Sequence, residues 1–322
     1  MKSTMSVKKG VLLAMALSTV TFSSAHALTV YTAGPGSLAK NLANGFEQKT
    51  GVKVDIFQAT TGKVMARLEA EQANPQADIL ISASWDTAED LHKRGWLLPY
   101  QSVNAQHVPA DLKSVDYVAQ GVSALGIVWN TKSGTPEPKE WRDLTTDAFR
   151  DKVTTPDPAL SGASLDLLIG LQNGMGDNVW ALFDALKKNG MVVSGPNAQA
   201  VTPVMQGAKA AVFGAVDYVS YGNISQGESL KVIFPASGTV IAPRPMMILK
   251  STRHADEAKA FVDYVLSPEG QAMVADAWLM PAREDVKAKR PLLNELTVLP
   301  TKSESSGSRS DILKRFTNLF SL

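Results

Sequence analysis

The chain predicts an α/β protein of two lobes, each built on a mixed, mainly parallel sheet, the two joined by crossing strands. Three observations predict it. Short apolar runs alternate with helical periodicity through the first 84 residues, the pattern of a mainly parallel sheet. About 295 residues follow an export signal, more than one compact core usually encloses, so two lobes of roughly 100 to 150 residues are expected. A long extended run broken by Gly121 and Gly126, residues 117–129, reads as a strand that leaves one lobe for the other.

The export signal has its parts in order: Lys2, Lys8 and Lys9, the apolar run 11–17 (VLLAMAL), and a small-residue cleavage site at Ala25-His26-Ala27. Its core is too short to span a bilayer, which takes roughly 20 apolar residues, so a mature chain starting near Leu28 is expected. Residues 28–31 (LTVY) form a first strand. Gly34-Pro35-Gly36 then breaks the backbone, and Ser37 is placed to cap a helix carrying Leu38, Leu42 and Phe46 at every fourth position, with Gly51 ending it. Residues 52–57 alternate as a strand does. Thr60-Thr61-Gly62 opens a second helix with Val64, Met65 and Leu68 on one side, and Asn74-Pro75 stops it. A short buried strand at 77–81 (ADILI) leads through Ser84 and Trp85 to Asp86, which reads as a cap with Glu89 three residues on.

Beyond the crossing run, residues 152–155 make a strand before Pro156, and Ser161-Gly162-Ala163-Ser164 opens a helix bearing Leu165, Leu167, Leu168 and Ile169. A short helix at 199–208 and a strand at 210–213 lead into Asp217, Tyr218 and Tyr221. Residues 238–241 read as the return crossing, feeding 245–249. The helix 256–266 follows, and Ser267-Pro268 restarts a helix with a cap and a proline at its first position. Residues 302–309 have linker composition, and a last amphipathic helix with Ile312, Leu313, Phe316 and Leu319 is expected to pack on a lobe. The expected organisation is therefore a signal at 1–27, a first lobe of 28–119 with 237–290, a second lobe of 120–236, and a tail at 291–322.

Composition removes several function classes. The chain has no cysteine, which excludes a lipoprotein signal, thiolate metal sites and Cys nucleophiles. Losing the three signal lysines takes Lys+Arg from 32 to 29 against 31 Asp+Glu, a net −2, with nothing to suggest nucleic acid or an anionic membrane. His92, His107 and His254 sit in polar stretches and read as surface residues rather than metal ligands.

In sheets of this kind, ligands sit beyond the carboxyl ends of the strands, where helix N-termini point free N–H groups into the crevice. The loops holding Ser37, then Thr60, Thr61 and Gly62, then Ser84, all fall there. Ser161, Gly162, Ala163 and Ser164 repeat the chemistry in the second lobe. Any one of these hydroxyls alone reads more simply as a helix cap. Three in succession at one sheet edge point to a shared ligand.

Val30-Tyr31 with its helix, residues 45–47 (GFE) before Thr50-Gly51, residues 74–78 (NPQAD), and residues 258–262 (AKAFV) through 266–271 (LSPEGQ) form a set. Together they resemble periplasmic substrate-binding proteins of ABC importers, in the branch serving ferric iron, phosphonates, thiamine and sugar phosphates. The resemblance covers essentially the whole mature chain. It implies the type 2 periplasmic-binding-protein fold, a hinged trap, a periplasmic monomer, a small anionic solute and a membrane permease as partners, and no cofactor. It also implies that Asp217, Tyr218 and Tyr221 engage the ligand, Asp217 through an amine or sugar hydroxyl. Ferric relatives use neighbouring tyrosines; here Tyr218 and Tyr221 are two residues apart, face-sharing on a helix but opposed on a strand, and with Asp217 they form the alternative iron set. An oxyanion held by the Ser/Thr loops is the leading expectation and ferric iron the alternative. An exported enzyme on the same scaffold is the alternative of another class, and the mature chain lacks the G-x-S-x-G elbow a serine nucleophile would bring.

Overall fold

A computed structural model describes residues 27–299 and 308–322; the expected signal and most of the linker at 302–309 lie outside them. Ten strands form one continuous mixed sheet flanked by helices. In chain order these are β1 (Leu28–Thr32), α1 (Gly36–Thr50), β2 (Val54–Gln58), α2 (Thr61–Ala70), β3 (Ile79–Ile81), α3 (Trp85–Lys93), β4 (Tyr117–Asn130) and β5 (Val153–Thr155). There follow α4 (Gly162–Met175), α5 (Asn178–Lys188), β6 (Val192–Val193), α6 (Asn197–Met205), β7 (Ala211–Val216), α7 (Asp217–Ser225) and β8 (Leu230–Ile233). Last come β9 (Ile241–Ile248), α8 (Ala255–Val265), α9 (Pro268–Asp276), β10 (Met280–Pro281) and α10 (Arg309–Phe320).

The strand order is β2-β1-β3-β9-β4-β7-β5-β6, with β8 and β10 also pairing β4. Strands β1, β2 and β3 run parallel, so the loops after them emerge at one edge. β9 runs antiparallel to β3, with Ile81 opposite Met246. β4 is the spine: residues 117–124 pair with β9, and residues 125–130 pair with β7 and β8. All fourteen of its residues are buried, which explains why it reads as one long apolar run. The boundary expected at residue 119 therefore falls inside a continuous strand. Gly126 lies where a Cβ would come within 2.7 Å of the Ile233 carbonyl oxygen, so β8 can pair this closely only against glycine.

Two main cores flank the junction. One gathers Leu38, Leu42 and Phe46 of α1 with Phe261, Val262 and Val265 of α8. The other gathers Leu167, Leu168 and Leu171 of α4 with Phe183 and Phe213, and takes in Ile312 and Phe316 of α10. β7 runs directly into α7, whose Asp217 accepts from the Ala124 amide of β4, and β5 leads into α4 through residues 156–161.

Two local expectations change, and one open alternative is settled. Ser37 is not the cap of α1: the helix begins at Gly36, after Pro35, and Ser37 is an exposed first-turn residue. Asp86 is not the cap of α3, because Ser84 occupies that position and Asp86 lies in the first turn. Residues 217–221 belong to a helix, which puts Tyr218 and Tyr221 on adjacent turns of α7.

Candidate functional site

The first turns of α2 and α4 bring backbone amides to the junction. In α2 the first intrahelical bond is donated by Val64 N–H to the Thr60 carbonyl, so the amides of Thr61, Gly62 and Lys63 precede the ladder. α4 is capped by Ser161, whose Oγ accepts from the Ser164 amide at 3.2 Å and from Asn197 Nδ2 at 2.6 Å. Ser161 therefore does the simpler job of the two expected for it, shaping the turn that presents Gly162 and Ala163. Thr60 caps α2 by position but makes no side-chain capping bond.

The first-lobe and second-lobe loops meet. A Cβ on Gly162 would stand 2.9 Å from Ser84 Cβ and 3.3 Å from Thr61 Oγ1, and one on Gly62 would stand 3.6 Å from the Ala159 carbonyl oxygen. Thr61, Gly62, Ser84 and Gly162 are thus brought together, across a gap narrow enough to require glycine. Ser84 Oγ spans it, donating to Asp166 Oδ1 of α4 at 3.0 Å. The residues beside this contact include buried hydroxyls with no hydrogen-bond partner, Thr60 Oγ1 and Ser164 Oγ, and Ser220 Oγ of α7 is a third. Buried polar groups are nearly always satisfied, so an unpartnered set at a helix-terminus junction is a ligand-shaped feature. Ala163 is buried directly behind Gly162.

Two residues that sequence reading missed give the site its charge. Arg244 of β9 is only 2% exposed, at the strand edge where the Ser82 amide donates to the Pro245 carbonyl. Its Nη1 donates to the Ala33 carbonyl at 3.1 Å and its Nη2 to Tyr218 Oη at 3.1 Å, with the guanidinium over the Tyr218 ring. Its Nε has no partner, and among the described residues no carboxylate pairs with it. A signal existed: one cation between Pro243 and Pro245 in an otherwise apolar strand. The other is Asp166, buried in α4, whose carboxyl burial pushes up to about 6 while Arg309 pulls it back down.

The three α7 residues separate. Asp217 is fully buried and committed elsewhere: it pairs with Arg290 at 2.5 Å and accepts from the Ala124 and Tyr218 amides at 2.9 and 2.7 Å. It is not presented to a solute, because its oxygens already tie α7 to β4. Tyr218 faces Arg244. Tyr221 stacks on Trp278 with rings 6.1 Å apart, beneath the Arg290 guanidinium, and burial pushes its phenol up to about 12. Trp85, the first residue of α3, packs edge-on against Tyr117 at 5.0 Å. Among the described residues no group of three His, Asp or Glu side chains could hold a metal.

Residues 74–304 match the profile of the family described as bacterial extracellular solute-binding protein. A putative 2-aminoethylphosphonate-binding periplasmic protein of Salmonella typhimurium is 25% identical over 255 residues, covering 76% of this chain and 73% of the relative. The periplasmic binding protein AfuA of Actinobacillus pleuropneumoniae, solved with fructose-6-phosphate bound, superposes with a TM-score of 0.83 at 24% identity, over 92% of this chain and 99% of that one. Iron-bound HitA from Pseudomonas aeruginosa gives 0.79 at 21% identity, over 91% and 99%. At these identities the two structures establish the two-lobed fold.

Proposed function

The chain belongs to the bacterial extracellular solute-binding proteins, and on that footing we propose that it captures a small phosphonate or phosphate ester between its lobes and, as a periplasmic monomer, delivers it to an ABC permease. The observation that carries the reading is Arg244. A buried guanidinium without a carboxylate is costly by several kcal/mol, and a bound oxyanion, met by the planar fork of N–H groups, removes that cost. The amides opening α2 and α4 add donors of the right sign, and Thr60 Oγ1 and Ser164 Oγ have bonding capacity to spare. Thr60, Thr61, Gly62, Ser84, Gly162, Ala163 and Ser164 form the rest of the proposed site. A solute touching both lobes when closed and one when open shifts the population toward closure. The phosphonate name of the Salmonella relative and the sugar phosphate held by AfuA are in keeping with this chemistry.

Ferric iron is the second reading, favoured by Tyr218 and Tyr221 on adjacent turns of α7. It asks more of the chain. Tyr218 Oη accepts from a cation and Tyr221 is pushed up to about 12, so two phenolates must form with Asp217 already engaged. A thermal-shift series with 2-aminoethylphosphonate, fructose 6-phosphate and ferric citrate separates the two. Melting temperature rising with concentration for an oxyanion solute, and lost in Arg244→Gln, is the expected result. Stabilisation by ferric citrate alone, with a visible phenolate-to-iron band, overturns it.

A further inference from the structure

The C-terminal helix reaches into the junction. α10 is anchored on the second lobe by Ile312 and Phe316, both within 4% of full burial, and Phe316 meets Phe183 edge-on at 5.4 Å. From its first turn Arg309 extends to three acceptors: Asp166 Oδ1 at 2.8 Å, Ser84 Oγ at 3.1 Å, and the Asp86 carboxylate through Nε. Asp166 rides on α4 with the second lobe. Ser84 and Asp86 belong to the β3–α3 turn of the first. One guanidinium thus stands between two carboxylates contributed by opposite lobes. A cation in the first turn of a helix is opposed by the helix dipole, so its place is explained by these partners and not by helix stability.

We propose that α10 is a closing clamp of the solute gap, with Arg309 as the positioning residue that bridges the lobes. When the lobes part, Arg309 keeps Asp166 but loses Ser84 and Asp86, so its contacts differ between the two states and favour closure. Without the guanidinium, Asp86 and Asp166 would face each other as like charges, and closure would be opposed. Since ligand affinity scales with the fraction of competent closed protein, the tail tunes capture from outside the ring of residues that touch the solute. Nothing in this depends on what the solute is.

The absence of cysteine makes the test direct. Spin labels at Lys40→Cys and Ala208→Cys, exposed positions on α1 and beyond α6, report lobe separation in the solute-free full-length chain. Arg309→Ala is expected to lower the closed fraction about tenfold, Arg309→Lys to restore part of it, and Arg309→Ala with Asp166→Asn to recover closure because the opposing charge is gone. Asp86→Ala, which leaves α10 and its core contacts intact, must open the protein in the same direction and serves if Arg309→Ala folds poorly. Distances unchanged by both Arg309→Ala and Asp86→Ala overturn the proposal. So does a double variant as open as Arg309→Ala, since relief of charge repulsion would then play no part.

Discussion

Arg244 and Arg290 are both buried guanidiniums beside α7, and they are compensated in opposite ways. Arg290 has its counter-ion built in: the Asp217 carboxylate is 2.5 Å away with both side chains fully buried, and Nε and Nη1 donate to the Pro291 and Trp278 carbonyls. Arg244 has a carbonyl and a phenol and, among the described residues, no carboxylate. The first arrangement is closed and makes structure. The second lacks a negative charge, and the chain keeps it between the Ala33 carbonyl, just before α1, and Tyr218 in the first turn of α7. Charge that folding leaves uncompensated is what the proposed oxyanion site rests on.

The sharpest way to break the contrast is to remove Asp217. Asp217→Ala strands the Arg290 cation and should cost about 3–5 kcal/mol of stability, read from urea unfolding, with no solute needed to reveal it. Arg244→Met should do the reverse. Its melt should stay within about 1 kcal/mol of the parent or rise, since a costly charge has gone, while affinity for an oxyanion solute falls by about 2–5 kcal/mol in calorimetry. Equal losses of stability from both variants would erase the distinction drawn between them.

The two threonine and serine loops repeat it on a smaller scale. Ser161→Ala should lose about 1 kcal/mol of stability, the value of a cap. Thr60→Val should leave the melt unchanged and weaken oxyanion binding by about 1 kcal/mol, the worth of one hydrogen bond.

The smallest effect is a pH signature. The Asp166 carboxyl is raised from 3.8 to about 6 by burial, against the pull of Arg309. The folded chain therefore holds that proton more tightly than the unfolded one, so the contribution to stability is full below about pH 4 and is lost as pH rises through about 6. Asp217 is raised by burial too and acts with the same sign, so the comparison is with Asp166→Asn, whose unfolding free energy should vary less across pH 4 to 6 by on the order of 1–3 kcal/mol.

The architecture was legible because periodicity and turn chemistry are local. The period-four spacing of Leu38, Leu42 and Phe46, the left-handed Gly51 that ends α1, the Ser267-Pro268 start of α9 and the all-buried β4 each follow from a few neighbouring residues. The segments that carried the family resemblance prove to be scaffold. Asp78 accepts from the Thr29 amide and Thr252 Oγ1, fastening β1 to the turn after β9, and Gln271 bonds the Gln120 and Val265 carbonyls and the Ala282 amide. The meeting of the 60–62 and 161–164 loops was also foreseeable, since both follow strands that end at the same junction. Asp217, Arg244, Asp166 and Arg309 were not. Each takes its meaning from a partner 26 or more positions away, such as Arg244 with Tyr218 or Arg309 with Ser84, and no local pattern distinguishes a counter-ion from a ligand residue.

The lobes are tied by two long neighbouring strands, β4 and β9, whose shared ladder shifts register between Ala119 and Val122, with the extra residue on β4. A paired ribbon resists sliding and stretching but yields to bending and twisting where an extra residue loosens its ladder. On the proposed function, loading and unloading would then be a rocking of one lobe on the other, and a transporter resting on both would sense cargo from their mutual tilt.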